Sequence, residues 1–82
     1  MLVELGEGRF GLPGFVDIHV HAPQWPQAAL ALDEPLYLWL EQRTFPLESK
    51  FSDMEFARRV YGDLVDALLA RGSTTTVYLG SA

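Results

Sequence analysis

Pro13-Gly14-Phe15-Val16-Asp17-Ile18-His19-Val20-His21 is the stretch on which the reading of this sequence turns. Pro13-Gly14 marks a chain turn, and Phe15, Val16, Ile18 and Val20 favour β structure. Side chains alternate along a strand. Asp17, His19 and His21 therefore share one face, and Val16, Ile18 and Val20 the other. Two imidazoles two residues apart point the same way, and their ring nitrogens can meet at a point ~2.0–2.1 Å from a metal ion. From the residues alone the pair has two readings, metal ligands or polar groups inside a sheet. Its position favours the first: it ends a strand and precedes a long loop, where ligands bind in parallel α/β sheets and barrels. His19 and His21 are also the only histidines in the sequence.

Beyond the strand, residues 22–31 read as a loop in which Pro23 and Pro26 break any helix. Asp33 can cap a short helix with Leu36, Trp39 and Leu40 on one side, Pro35 being tolerated in its first turn. Residues 43–50 read as irregular around Pro46. Residues 52–71 are the best-specified element. Ser52 and Glu55 form a capping-box pattern, with Phe51 and Phe56 as a hydrophobic staple. Ala57, Val60, Tyr61, Leu64 and Leu68 recur at helical spacing, and Arg71-Gly72 supplies the stop. Thr74 to Leu79 is a second β-branched strand. Strand, helix, strand with one apolar helix face is a βαβ unit of a parallel sheet. Before the decisive stretch, residues 2–5 and 9–12 read as strands of a hairpin about Gly6-Glu7-Gly8.

A parallel pair expects neighbours on both edges. The expectation is a piece of a larger α/β domain, or a chain that pairs with another copy through its open edges, as a homodimer for example. Eleven acidic residues against six basic ones give a net charge of −5, which argues against nucleic acid or an anionic membrane as partner. No apolar run approaches the ~20 residues of a membrane span. Residues 1–9 lack a signal-peptide pattern, and there is no cysteine; together these lead to the expectation of a cytoplasmic protein.

The decisive stretch resembles the P-G-x-x-D-x-H-x-H signature of the amidohydrolase superfamily. The continuation His21-Ala22-Pro23-Gln24-Trp25 is similar to the guanine deaminase branch of that superfamily. So are Asp33-x-Pro35-Leu36, Trp39-Leu40, Thr44-Phe45-Pro46-x-Glu48, Phe51, Phe56-Ala57, Val60-Tyr61 and Gly72-x-Thr74-Thr75-Thr76. The resemblance implies the first βαβ unit, with a long loop, of a (β/α)8 barrel over residues 13–82. Residues 1–12 would be a hairpin remnant of the small β domain that frames such barrels. It implies His19 and His21 as two ligands of one zinc or iron ion, and guanine as the small-molecule substrate of the complete enzyme. Gln24 resembles the amide that grips the base, although a loop glutamine can also be merely solvated. Trp25 either walls the pocket or packs. Asp17 is read as a carboxylate that orients polar groups near the metal, or as a hydrogen-bonded buried acid. Glu48 and Glu55 are read as a loop charge and a helix cap. The family's two further histidines, aspartate and glutamate shuttle come from later strands, so the chain alone is expected to lack activity. Two alternatives remain open: an amidohydrolase acting on another aminated heterocycle, and a non-catalytic module that oligomerises.

Overall fold

The computed structural model describes residues 2–80. Its sheet has two parallel strands, β1 (Phe15–His21) and β2 (Ser73–Leu79). Between them lie a 3-10 turn at Ala22–Gln27, helix α1 (Leu36–Trp39), a π-helical stretch at Leu40–Thr44, and helix α2 (Phe45–Ser49). A second 3-10 turn at Lys50–Ser52 leads into the long helix α3 (Met54–Ala70). The unit is thus α/β and βαβ-like, with both strands and α3 where the sequence pattern puts them.

Helix α3 begins at Asp53, whose side chain accepts from the backbone N–H of Glu55 (2.9 Å) and Phe56 (3.2 Å). The expected cap at Ser52 is off by one, because Ser52 Oγ instead donates to the carbonyl of Ser49. Asp and Ser suit this position about equally, and here the Asp53 carboxylate takes the free amides while the Ser52 hydroxyl is engaged with Ser49. The staple contact survives the shift: Phe51 and Phe56 meet edge to face with centroids 5.0 Å apart. Ala57, Val60 and Leu64 are buried, and Tyr61 and Leu68 half-buried, along the face that periodicity outlined. The helix ends as expected, with Arg71 as C-cap and Gly72 at φ +91°, the left-handed conformation that glycine adopts without strain. The Phe15 amide donates to the Gly72 carbonyl at 2.8 Å, so the helix stop is also where the strands first meet.

Three segments differ from expectation. Residues 22–27 form a 3-10 turn, since Pro23 falls at its N-terminal end, where a missing N–H costs nothing. Asp33 caps no helix: α1 follows Pro35 without a side-chain cap, and neighbouring Glu34 pairs with Arg43 at 3.0 Å. Residues 43–50 are helical rather than irregular. Pro46 is accommodated because the turn before it widens to π geometry, with the Phe45 amide reaching back to Leu40. An extra residue in the turn relieves the clash a proline ring otherwise makes with the preceding turn.

At the N-terminal end the expected reversal is present, with Gly8 at φ +76° and the Arg9 amide bonded to the Gly6 carbonyl at 3.1 Å. The flanking residues 2–5 and 9–12 form no strand, so the hairpin expectation is corrected to an isolated turn; Met1 lies outside the described residues. Leu2, Phe10 and Leu12 are all exposed, so little apolar burial is available to hold a two-stranded ladder together.

The core is small. Phe51, Ala57 and Val60 are buried together, with Trp25, Leu47, Phe56 and Tyr61 packed around them. Val16, Ile18 and Val77 remain more than half exposed on the sheet. The radius of gyration is 16.8 Å, against about 12 Å for a closed domain of this length. Each strand has one unpaired edge among the described residues.

The pairing of β1 with β2 contains two irregularities. From Phe15↔Ser73 to Val16↔Thr75, β2 carries one extra residue, Thr74; from Asp17↔Thr76 to Val20↔Tyr78, β1 carries one extra residue. Gly14 faces the first: a Cβ there would lie 2.6 Å from Thr74 Cβ, inside that side chain. Gly14→Ala is expected to destabilise the chain by about 1–3 kcal/mol in urea unfolding, and Thr74→Ala in the same chain to restore part of the loss.

Candidate metal and substrate site

The imidazoles of His19 and His21 converge as strand alternation requires. Their Nε2 atoms are 2.9 Å apart, with ring centroids at 4.8 Å and planes tilted by 49°. Both side chains are exposed at the end of β1. Two nitrogens this close can serve one ion at ~2.0–2.1 Å from each; a tetrahedral ion would hold them roughly 3.3 Å apart, a small outward adjustment. The donor chemistry suits zinc or iron. No third histidine, cysteine or acidic residue joins the pair among the described residues. The fit is therefore that of two ligands.

Asp17 is half-buried on β1, and its Oδ1 accepts from the backbone N–H of His19 at 3.1 Å. It contacts the backbone of the histidine segment, a role that the sequence left between orienting group and buried acid.

The 3-10 turn carries the chain from His21 across the strand end. It closes one side of a cleft of ≈ 230 Å³ lined by Val20, His21, Gln24, Trp25, Gln27 and Trp39 among others. The cleft thus joins one imidazole to both loop residues that the sequence singled out. Gln24 and Trp25 are half-buried. Trp25 lines the cleft and packs on the Phe51 core. The guanidinium of Arg71 lies 5.9 Å from its ring centroid, in cation–π range. The far wall includes Ala28, Ala29 and Leu32; Ala29 and nearby Ala31 have φ of 63° and 53°, strained for alanine.

Sequence reasoning missed Gln27 and Thr44. They are 7% and 1% exposed, and Gln27 Nε2 donates to Thr44 Oγ1 at 2.9 Å. This bond ties the cleft-forming turn to the π-helical stretch. The partners are seventeen positions apart, so no local pattern announces it. Gln27 also lines the cleft, beside Gln24. Elsewhere Glu34, by hydrogen bond and then by charge, raises the pKa of Arg43 above its ordinary value and holds the loop before α1 to the π-helical stretch.

Comparison with known proteins follows the same line. A scan of protein-family models finds no match. Among curated proteins, the guanine deaminase of Dictyostelium discoideum is 49% identical over 77 residues, covering 94% of this chain and 17% of that protein. This chain is a homologue of one segment of the guanine deaminases. The probable guanine deaminase of Schizosaccharomyces pombe is 45% identical over 73 residues, 89% of this chain and 14% of that protein. The Escherichia coli guanine deaminase is 39% identical over 74 residues, 90% of this chain and 17% of its own length. The chain thus spans about a sixth of the length of these curated relatives.

The buried amide–hydroxyl pair gives a direct test of what holds the cleft. Thr44→Val leaves the Gln27 amide without its acceptor and is expected to cost about 1–3 kcal/mol in urea unfolding. Adding Gln27→Leu removes the stranded polar group too, and the double variant is expected to recover much of that loss.

Proposed function

We propose that this segment serves a metal-dependent hydrolytic deamination of guanine to xanthine and ammonia, carried out by the whole protein of which it supplies one wall of the active site. The observation that carries the reading is the pair of converging imidazoles at a strand end, with the cleft that joins His21 to Gln24 and Trp25. Homology to guanine deaminases over nearly all of this chain supports it. In this reading residues 13–82 are the first βαβ unit of a (β/α)8 barrel. Residues 1–12 belong to the adjoining small β domain.

His19 and His21 would hold one zinc or iron ion. When bound, the ion lowers the pKa of water toward ~7 and so supplies hydroxide at neutral pH. Gln24 supplies a neutral amide, one donor side and one acceptor side, which matches the lactam edge of a purine. Trp25 offers an apolar wall, held by the core beneath it. Gln27, anchored by Thr44, keeps the turn that carries both residues against the helical layer.

Further protein must cover the sheet. Val16, Ile18 and Val77 are exposed next to unpaired strand edges, a combination that favours further strands or a second copy. Among the described residues no helix is long and apolar enough to cross a membrane. The absence of cysteine fits a cytoplasmic setting, which is part of the same proposal.

The test is kinetic. In the whole protein Gln24→Ala is expected to lower kcat/KM for guanine by roughly 5- to 150-fold, the equivalent of stranding polar substrate groups at about 1–3 kcal/mol. Metal content should stay unchanged, whereas His19→Ala should lose both metal and activity. Full guanine efficiency in Gln24→Ala, or loss of its metal, would overturn the guanine reading of this loop.

The 82-residue chain alone is expected to release no ammonia from guanine in the presence of zinc. A rate above that of its His19→Ala variant would show that the two-ligand reading is incomplete.

A further inference from the structure

The structure assigns Asp17 a positioning role: its carboxylate oxygen takes the His19 amide at the irregularity in β1, and so fixes where His19 and His21 bring their Nε2 atoms. The inference deepens the two-ligand reading of the histidines and rests on it.

Three observations meet at this point. Between Asp17 and Val20, β1 advances three residues while β2 advances two, from Thr76 to Tyr78. The extra residue falls at Ile18 or His19, inside the histidine motif. A bulge leaves a residue unpaired and turns the strand, re-aiming the side chains around it. The His19 amide finds its acceptor in Asp17 Oδ1, at 3.1 Å and two residues back in the same strand. Immediately beyond, the imidazoles of His19 and His21 converge to 2.9 Å. An amide unpaired in the ladder is costly, so a local side-chain acceptor makes the bulge the stable arrangement.

The chemistry asked of Asp17 is narrow. It needs an oxygen acceptor one methylene from the backbone, and no charge. This separates the clamp from the alternative in which the carboxylate acts on the metal or an imidazole through its negative charge. Asparagine keeps the acceptor at the same reach and loses the charge. Glutamate keeps the charge and moves the acceptor away. The two ideas therefore make opposite forecasts for these two substitutions.

The experiment uses the whole protein that carries this segment, freed of metal and labelled with nitrogen-15, as parent, Asp17→Asn, Asp17→Glu and Asp17→Ala. Hydrogen exchange of the His19 amide is read first, without metal, beside the amides of α3 as a control for folding. Zinc is then titrated, with His19→Ala as the baseline. The expected result is a slowly exchanging His19 amide in parent and Asp17→Asn, and exchange about 5- to 10-fold faster in Asp17→Glu and Asp17→Ala. Zinc dissociation constants should follow the same split, by a similar factor.

Two results overturn the clamp. One is a His19 amide equally protected in all four chains with α3 intact. The other is Asp17→Asn behaving as Asp17→Ala while Asp17→Glu matches the parent, which assigns the role to charge. If Asp17→Ala melts α3, the Asn and Glu variants decide, since each keeps a polar side chain of similar size. If the parent binds zinc no better than His19→Ala, the metal reading fails, while the exchange pattern still decides the clamp.

Discussion

The parallel pairing of β1 with β2 is the constraint on which the rest of the structure depends. Two strands running the same way cannot be joined by a tight turn, because the chain must return to its starting end. Here the return is made by α3, and the Phe15 amide on the Gly72 carbonyl closes the circuit where the helix ends. Gly72 must be left-handed to let the chain turn from helix into strand there, and its Cα lies against Phe15: an added Cβ would meet the Phe15 ring at 3.2 Å. The same pairing leaves the far end of β1 free to continue outward, so His21 passes directly into the 3-10 turn that carries Gln24 and Trp25. Site and fold are thus consequences of one arrangement.

Much of this was legible because its causes are local. Alternation fixed the shared face of His19 and His21, and the convergence of their rings follows from it. The α3 face repeats every three or four residues, and Ala57, Val60 and Leu64 are buried accordingly. The glycine stop at Gly72 reads directly from the αL requirement. What stayed hidden arises from competition or from distance. Ser52 and Asp53 both suit an N-cap, and the pattern does not weigh a charged acceptor against a hydroxyl that finds another partner at Ser49. Pro46 reads as a breaker until the preceding turn widens, which is a property of residues 40–44 taken together. The Gln27–Thr44 bond spans seventeen positions and depends on how the turn lies against the helical layer. The hairpin over residues 2–12 fails for the opposite reason: the local signals produce the turn, but the flanking apolar side chains stay exposed and bury too little to make strands.

The site shows a division of labour between rigid and compliant parts. The imidazoles sit on a strand, where the backbone is held on one side by β2. Gln24 and Trp25 sit on a short turn that no ladder holds. That turn is fixed instead by side chains, Gln27 on Thr44 and Trp25 on the aromatic cluster of Phe51, Phe56 and Tyr61. Both anchors run to the helical layer, and so the cleft width depends on how the segments from α1 to α3 pack. Ala29 in the cleft wall and nearby Ala31 are left-handed, at about 1–2 kcal/mol each relative to ordinary backbone. Strain of that size persists only where surrounding contacts over-determine the conformation. Trp39 is one such contact, since it lines the cleft and its indole N–H reaches the Leu30 carbonyl at 3.4 Å, a long and weak bond.

The exposed apolar surface follows from the layer arrangement. A two-layer α/β unit buries one sheet face under its crossover helix and needs a further element for the other. In this structure the helical layer draws its own core from Phe51, Ala57, Val60 and Trp25, and Leu64 lines clefts with Val20 and with Tyr78 near the C-terminal ends of the strands. That is the end where the histidines stand. Val16 and Ile18, by contrast, are left uncovered on the sheet. Whatever covers those residues must approach from outside the unit, along strand edges whose amides and carbonyls are unpaired. His19 and His21, with their Nε2 atoms 2.9 Å apart, stand exposed away from those apolar residues, so covering Val16 and Ile18 and reaching the imidazoles call for contacts on different faces of the sheet.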